Sequence, residues 1–380
     1  MKKLLTAAAT ALILAACASD NVEPPAPLQP LLKPQLVAHE VWSRSISGYD
    51  KVQGINLAPT SDGSQVFVST DSGEVYAFSI NSGGTNWKTK TKIDAGAGAT
   101  YGDGLVVVAA TSGTVVALDA KSGDEKWRAD VKGEILATPA VGLGFVVVRT
   151  TDGRLIALAA DSGQERWKNS YDQPRLVLRG QGAPVIVDRT LLVGLDDGKL
   201  LGLGIDDGKQ LWEATVSNPV GSDELSRLTD VDGALALGKD NVYAVGYRGQ
   251  TVDVSRYTGQ VIWTRDLASA TGASTDGDYV YVTDTHDAVW ALEKSNGVPI
   301  WNQPVLRARD LTLPVPFGDA LVVGDLQGYV HFISKKDGTL LGRERVGSDP
   351  ITAAPVVVGD KLVVQTTGGD VAAYLVTPPS

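Results

Sequence analysis

A tryptophan recurs along this chain in a fixed local setting, and its period restricts the possible folds. Each copy has a short apolar segment, a few polar residues, a Gly and, four residues later, a Trp. The six clear copies are Gly83–Trp87, Gly123–Trp127, Gly163–Trp167, Gly208–Trp212, Gly259–Trp263 and Gly297–Trp301. Successive Trp residues are 40, 40, 45, 51 and 38 positions apart. Repeats of roughly 40 to 45 residues with several short strands are typical of β-propeller blades, so we predict an all-β propeller.

Eight apolar segments align as the third strand of successive blades. Seven of them follow a Gly by two residues, and Asp287 takes that place in the sixth. Both residue types suit a tight hairpin with positive φ. The eight cores are Val75–Phe78, Val115–Leu118, Leu155–Leu158, Leu200–Leu203, Thr251–Val254, Val289–Leu292, Val330–Ile333 and Val371–Tyr374.

The two ends of the array complement each other. The eighth core has almost no chain after it, whereas Val37 to Ser47, with Trp42, is an outer-strand-like segment with no inner strands before it. We therefore predict eight four-stranded antiparallel blades, the last closed by the N-terminal strand, because closure removes exposed strand edges. The recurrent Trp is interpreted as an inter-blade packing residue. The seventh blade departs from the pattern, since Gly342 stands where Trp is expected.

The first residues have the features of a secretory signal. Lys2 and Lys3 precede an apolar stretch, Leu4 to Ala16, that is too short to span a membrane. Cys17 follows Leu14-Ala15-Ala16, a sequence that resembles the bacterial lipobox, and is the only cysteine. This resemblance implies lipidation of Cys17, and the absence of a following Asp favours the outer membrane. We predict a signal peptide at 1–16, a lipidated Cys with a Pro-rich tether at 17–36, and a propeller at 37–380.

Composition excludes several classes of function. The chain has 44 Asp and Glu against 34 Lys and Arg, a formal net charge of −10, which argues against nucleic acid or anionic lipid as a partner. The three His residues are far apart in sequence and none shows ligand spacing. Neither a Gly-x-Ser-x-Gly motif nor a phosphate loop occurs. We expect no catalytic residue, metal or cofactor.

Two consecutive connections are longer than the others. The distance from Trp to the next third-strand core is 28 residues in the first two repeats, 33 after Trp167 and 39 after Trp212. It then returns to 26 and 29. Both long connections link an outer strand to the next inner strand, and such connections open on one face of a propeller. Insertions on one face often form the binding face, so we predict a binding surface there.

The residues of these two connections allow two interpretations. The first contains Arg175 to Gly180, with Leu176, Leu178 and Arg179, and the second contains Ser226 to Asp232. Arg beside exposed Leu is typical of a protein–protein interface with a charged rim. Alternatively, the Leu pair belongs to an ordinary inner strand and the two Asp residues lie in a solvated loop.

Two local motifs, together with the Trp repeat and Cys17, resemble the BamB family of outer-membrane assembly lipoproteins. The motifs are Leu176-x-Leu178-Arg179-Gly180 followed by Ala183-Pro184, and Arg227-Leu228-x-Asp230-Val231-Asp232. The resemblance implies a non-enzymatic, lipid-anchored subunit of the β-barrel assembly (Bam) complex at the periplasmic face of the outer membrane.

The same resemblance implies a partner and its contact residues. Leu176, Leu178, Arg179, Asp230 and Asp232 would contribute to binding the POTRA domains of BamA. Arg179 would pair with acidic groups on the partner, and the two Asp residues with basic ones. Unfolded outer-membrane protein precursors are a further expected partner, guided by β-augmentation along a strand that the sequence does not identify.

Two other functions are also compatible with the sequence. Quinone-cofactor (PQQ) dehydrogenases have similar Trp-bearing blades, but they need a cation held by carboxylates and amides around the cofactor. They commonly carry a vicinal disulfide, which one Cys cannot form. Asp196-Asp197 and Asp206-Asp207 are interpreted as turn residues beside Gly198 and Gly208. The third possibility is a periplasmic scaffold for another envelope protein.

Overall fold

The structure is a computed structural model that describes residues 23–47, 56–174, 176, 182–218 and 228–379. Within these residues the strands form eight antiparallel four-stranded sheets. Strand β1 (Val37–Ser45) precedes the first blade. Blade 1 has β2 (Thr60–Ser61), β3 (Gln65–Ser69), β4 (Glu74–Ser79) and β5 (Thr85–Lys90). Blade 2 has β6 (Thr100–Gly102), β7 (Leu105–Ala109), β8 (Thr114–Asp119) and β9 (Glu125–Asp130). Blade 3 has β10 (Ala140–Gly142), β11 (Phe145–Arg149), β12 (Arg154–Ala159) and β13 (Glu165–Ser170).

The remaining blades repeat the same order from inner to outer strand. Blade 4 has β14 (Val185–Val187), β15 (Thr190–Gly194), β16 (Lys199–Gly204) and β17 (Gln210–Thr215). Blade 5 has β18 (Ala236–Leu237), β19 (Asn241–Val245), β20 (Thr251–Ser255) and β21 (Val261–Arg265). Blade 6 has β22 (Ala273–Thr275), β23 (Tyr279–Thr283), β24 (Val289–Glu293) and β25 (Pro299–Gln303). Blade 7 has β26 (Val315–Phe317), β27 (Ala320–Gly324), β28 (Tyr329–Ser334) and β29 (Leu340–Arg345). Blade 8 has β30 (Val356–Val358), β31 (Lys361–Gln365), β32 (Asp370–Thr377) and β1.

The predicted all-β propeller of eight four-stranded antiparallel blades is confirmed, as is its closure by the N-terminal strand. Each predicted third-strand core lies in the third strand of its blade. The apolar runs form strands because neighbouring blades cover both faces: Val106, Val107 and Val108 are completely buried. Among the described residues, the structure contains no helix that is long and apolar enough to cross a membrane.

Each repeated Trp joins its blade to the next one. Its indole ring packs on the Gly that begins the following copy, as Trp87 packs on Gly123. Its Nε1–H donates to a backbone carbonyl of that next blade, at 2.7 Å from Trp127 to Ala160 and 3.0 Å from Trp87 to Ala120. The same hydrogen bond is made by Trp42, Trp167, Trp212, Trp263 and Trp301. The Gly–Trp spacing is therefore a fold signal, as predicted.

The junction between blades 7 and 8 uses a different arrangement. Here Gly342 replaces Trp because the chain ahead of β1 crosses it: a Cβ at Gly342 would clash with the backbone carbonyl of Leu36. The amides of Gln35 and Leu36 both donate to the Leu341 carbonyl, at 2.7 and 3.0 Å. Trp42 of β1 then continues the ring into blade 1 through its hydrogen bond to Ile80, at 2.8 Å.

The hairpin positions predicted for positive φ behave as expected with one exception. Asp287 has a φ of 63°, so Asp adopts the conformation that Gly supplies in the other blades. Gly249 lies outside the left-handed region, and the prediction is wrong there. Glycine is required at this position because the side chain of Ser217 occupies the place of a Cβ.

Candidate functional site

The two long connections lie on one face of the propeller, which we call the loop face. The first joins β13 to β14 (residues 171–184) and the second joins β17 to β18 (residues 216–235). The corresponding connections after β5 and β9 are shorter, 91–99 and 131–139. Antiparallel order within each blade puts every outer-to-inner connection on this face. The predicted location of the insertions is therefore correct.

Leu176, in the first connection, presents a large apolar side chain to solvent. It is 39% exposed and lies outside the strands, since β14 begins at Val185. The alternative interpretation, in which Leu176 belongs to the inner strand, is wrong for this residue. Cys17, Leu178 and Arg179 lie outside the described residues, so their predicted roles stay predictions.

The second connection packs back onto the molecule near its end. Leu228, Asp230 and Val231 are buried, with 6%, 1% and 1% exposure. The Val231 amide donates to the Leu195 carbonyl of blade 4 at 3.1 Å, and the Asp230 carbonyl accepts from the Tyr247 amide of blade 5 at 3.0 Å. This segment is fixed across the hairpin ends of two blades and is not a solvated loop.

A buried ionic cluster ties this segment to two earlier blades. Arg149, the last residue of β11, donates through Nη2 to Asp196 Oδ1 at 2.5 Å and through Nη1 to Asp232 Oδ1 at 3.1 Å. Side-chain exposure is 6% for Arg149 and Asp196 and 11% for Asp232. Buried charges are tolerated only with close partners and complementary hydrogen bonds, so this cluster must form when the second connection takes its place.

The first connection reaches the same cluster. A Cβ at Gly182 would come within 2.9 Å of Arg149 Nη1 and 3.0 Å of the Asp232 Cα. Gly182 and Asp232 therefore meet over the Arg149 guanidinium. The ends of the two long connections are placed against each other by one buried charge.

Two carboxylates share the single Arg149 charge, and the pKa of Asp232 is raised in this setting. Burial raises the pKa of Asp232 to about 6, against the opposing effect of Arg149, and the nearby Asp196 raises it further. A raised carboxyl pKa is expected when desolvation exceeds the stabilisation from one shared cation.

These positions give the two Asp residues contacts within the chain that the sequence did not predict. Asp230 is buried, and the Asp232 side chain, 11% exposed, is paired with Arg149 inside the chain. Asp230 and Asp232 are therefore placed to hold the second connection in position, and their contact with basic groups of a partner stays a prediction. Their effect on a binding surface would act through the shape of that connection.

The ionic roles of Arg149 and Asp196 were not predicted from the sequence, although the sequence contains a signal for Arg149. Asp196 does lie in the predicted turn beside Gly198, but its carboxylate also binds Arg149. Arg149 ends the second strand of its blade, where the other seven blades have uncharged residues: Ser69, Ala109, Gly194, Val245, Thr283, Gly324 and Gln365. A charged residue at this otherwise uncharged repeat position indicates a specific partner.

The axis of the ring opens on the loop face as a cavity of about 370 Å³. Small or apolar side chains dominate its described lining, including Ala58, Leu136 and Thr271, and Asp232 supplies a carboxylate already paired with Arg149. Among the described residues, no group of three or more His, Cys, Asp or Glu side chains could hold a metal ion. Carboxylate and amide side chains are represented in the described lining by Asp232 and Asn56, and the Asp232 carboxylate is paired with Arg149.

The repeat, the ring closure and the loop face define the class of this protein as an eight-bladed propeller with PQQ-like repeats. The sequence profile described as outer membrane protein assembly factor BamB matches residues 71–303. The BamB of Pseudomonas aeruginosa is 44% identical over 371 residues, which cover 97% of each chain. By this similarity the chain belongs to the family of the outer membrane protein assembly factor BamB.

Solved structures agree with this assignment at the level of the fold. The crystal structure of BamB from Moraxella catarrhalis superposes with a TM-score of 0.81 at 27% identity, covering 89% of this chain and 100% of that one. Quinohemoprotein alcohol dehydrogenase from Comamonas testosteroni gives a TM-score of 0.72 at 14% identity, covering 91% of this chain and 77% of that one. The second likeness concerns the fold alone.

Proposed function

We propose that this chain is a lipid-anchored, non-enzymatic subunit of the Bam complex that binds the POTRA domains of BamA through the two long connections. In this role it assists the folding and insertion of outer-membrane β-barrel proteins at the periplasmic face of the outer membrane. The observation that carries the proposal is that both long connections lie on the loop face and converge on Arg149.

The geometry supports two kinds of residue: those that contact the partner and those that hold the two connections in place. Leu176, exposed in the first connection, is the described apolar contact residue. Leu178 and Arg179 are proposed as its neighbours in the interface, with Arg179 facing acidic groups of BamA. Asp230 and Asp232 hold the second connection beside them, and Arg149 joins the two. Interfaces combine a few apolar anchors with surrounding residues that fix their shape.

The non-enzymatic part of the proposal rests on the axial cavity and the family. Enzymes with this fold place a cofactor and a cation on the axis, and here most of the residues described around the axial cavity are small or apolar. A relative that covers 97% of the chain is named an assembly factor. Addition of PQQ and Ca²⁺ is expected to produce no saturable binding. Tight PQQ binding would contradict the proposal.

The binding surface can be tested with two exposed leucines. Leu176→Lys places a charge in the proposed interface, whereas Leu211→Lys changes a leucine on the outer strand β17 that is 58% exposed. Burying an unpaired charge in an interface costs several kcal/mol. We expect Leu176→Lys to reduce co-purification with BamA at least tenfold and Leu211→Lys to leave it unchanged.

Photo-cross-linking in intact cells identifies the partner directly. A photoreactive amino acid at position 176 should cross-link mainly to the POTRA region of BamA, and one at position 211 should not. Dominant cross-links from 176 to another envelope protein would replace BamA as the partner. If Leu211→Lys impaired co-purification and Leu176→Lys did not, the binding surface would lie on the outer strands.

A further inference from the structure

The segment before β1 is bound to the propeller surface. Residues 23–36, which we call the strap, contain five prolines at positions 24, 25, 27, 30 and 34. The Ala26 amide donates to the Arg307 carbonyl at 2.9 Å, and Arg343 Nη2 donates to the Gln29 carbonyl at 2.9 Å. Leu28 is half-buried. The strap thus follows blade 7 from the connection after β25 to the outer strand β29.

The propeller supplies a buried cation for the strap backbone. Arg309 is 1% exposed, and its Nη1 donates to the Ala26 carbonyl at 2.9 Å. Its other donors bind Asp325 Oδ2 at 2.7 and 2.8 Å and Gln327 Oε1 at 2.7 Å. Asp325 also contacts His331 Nε2 at 2.8 Å. A guanidinium fixed this firmly is a preorganised donor for a peptide carbonyl.

Three features indicate that the strap has a specific binding site on blade 7. Ala26 engages both its N–H, which donates to the Arg307 carbonyl, and its C=O, which accepts from the Arg309 side chain. Glu23 forms an ion pair with Arg307 at the outer end of the strap. At the inner end, Gly342 interrupts the Trp repeat so that Leu36 can cross blade 7. The prolines favour an extended strap before binding, which reduces the entropy lost on docking.

We propose that blade 7 is the binding site for the chain's own Pro-rich strap, and that the docked strap holds the loop face toward the membrane. This rests on the proposed lipid anchor at Cys17. From Cys17 to Glu23 the chain spans at most about 20 Å, against about 65 Å from Cys17 to Leu36 if the strap were released. The docked strap leaves at Arg307, which belongs to the connection after β25 on the loop face.

Docking of the strap is tested without the lipid. In the mature chain with Cys17→Ser, hydrogen exchange of the peptide around Ala26 is informative because Pro24, Pro25 and Pro27 carry no amide hydrogen. We expect the Ala26 amide to exchange at least tenfold more slowly than in an unstructured peptide. Arg307→Glu should accelerate this exchange, and Glu23→Lys combined with Arg307→Glu should restore protection. Unprotected exchange in the unmodified chain would overturn the docked strap.

The orientation is tested with the lipidated chain on vesicles that contain an energy-transfer acceptor lipid. Lipidation consumes the thiol of Cys17, the only cysteine, so a single introduced Cys can be labelled. Thr285→Cys reports from the turn between β23 and β24 on the loop face, and Lys336→Cys from the turn between β28 and β29 on the opposite face. We expect stronger transfer to the lipid from position 285 than from position 336.

The release variant Ala26→Pro with Arg307→Glu removes the Ala26 amide donor and sets a like charge against Glu23. The release variant should reduce the difference in energy transfer between labels at positions 285 and 336. Lys33→Glu, at an exposed position of the strap, should leave that difference unchanged. Equal transfer from both labels in the unmodified chain would overturn the orientation, even with a protected Ala26 amide. Failure of the chain to bind vesicles would refute the lipid anchor, whereas hydrogen exchange would still decide the strap.

Discussion

Arg149 holds two carboxylates with one positive charge in a site with little solvent exposure, and we expect this balance to affect the stability of the loop face. Replacing a buried ion pair as a whole is often tolerated, but removing one partner leaves an unpaired charge in a low dielectric. Arg149 has two such partners, in blade 4 and in the second long connection. Replacing Arg149, whose side chain is 6% exposed, should therefore lower the free energy of unfolding by more than the loss of its packing contacts alone.

Arg149→Met should lower the free energy of unfolding by about 3 to 5 kcal/mol at pH 7, because Asp196 and Asp232 would remain buried without their cation. Neutralising both carboxylates in the same chain, as Asp196→Asn and Asp232→Asn, should recover much of this loss. Urea unfolding of the single and triple variants measures the difference. A single variant within about 1 kcal/mol of the unmodified chain would mean that the cluster is not an energetic unit.

Asp232 gives the cluster a dependence on pH whose sign follows from its raised pKa. Its folded pKa is about 6, whereas an unfolded Asp titrates near 4, so the folded state binds more protons between these values. The contribution of Asp232 to stability is therefore present in full below pH 4 and is lost as the pH rises to about 6.

Asp232→Asn mimics the protonated carboxyl and should remove this dependence. Relative to the variant, the unmodified chain should lose up to about 3 kcal/mol of stability between pH 4.5 and pH 7.5. Paired urea titrations at the two pH values test this. A difference that is constant with pH, or that changes in the opposite direction, would show that Arg149 keeps Asp232 ionised throughout.

At the scale of the element, the strands were predictable because their signals are local. Each third-strand core and its Gly–Trp pair lie within one blade, and the same combination recurs around the ring. The ionic cluster was not predictable in this way. Arg149, Asp196 and Asp232 are far apart in sequence and come together only when blades 3 and 4 and the second long connection pack.

The strap illustrates the same limit. Its prolines predict an extended segment, which agrees with a tether, but the contact of Ala26 with Arg309 joins residues 283 positions apart. The position of Leu176 could be predicted in part. The length of the first connection can be counted in the sequence, but the exposure of Leu176 was one of two alternatives there, and the burial of Asp230 depends on the two blades beneath it.

The Trp–Gly junction can be measured with two glycines of nearly equal backbone conformation. Gly123 has a φ of 76° and lies under the Trp87 ring, whereas Gly104 has a φ of 75° and has no atom within 4 Å of the place that a Cβ would take. Gly104→Ala should cost about 1 to 2 kcal/mol from the left-handed backbone alone. Gly123→Ala should cost about 1 to 3 kcal/mol more because its methyl group overlaps the indole.

Thermal or urea unfolding of these two variants separates the backbone term from the packing term. Equal destabilisation would mean that the indole moves aside without loss and that the Gly–Trp pair is not a tight junction. The outcome applies to the other copies, since Trp42, Trp127, Trp167, Trp212, Trp263 and Trp301 each lie on an equivalent Gly.

At the scale of the whole molecule, ring closure depends on one strand from the opposite end of the chain. β1 pairs with β32 from Val37–Thr377 to Ser45–Asp370, with a bulge between Glu40 and Trp42. If β1 leaves, blade 8 loses its outer strand, blade 1 loses the Trp42 contact and blade 7 loses the Leu36 crossing. Opening of the ring at this seam would therefore weaken three blades together, and we expect unfolding to begin there.

Two disulfides that share one partner test this expectation. Leu375 faces His39 of β1 on one side and Lys361 of β31 on the other. Cysteines at 39 and 375 close the whole ring, whereas cysteines at 361 and 375 close only a local hairpin. The chain-entropy relation gives about 3 kcal/mol for the short loop and about 5 kcal/mol or more for the long one. With Cys17→Ser in both chains, urea unfolding under oxidising and reducing conditions measures the two gains, and unfolding rates should fall more for the ring-closing pair. Equal effects on the unfolding rate would place the first opening elsewhere than at the seam.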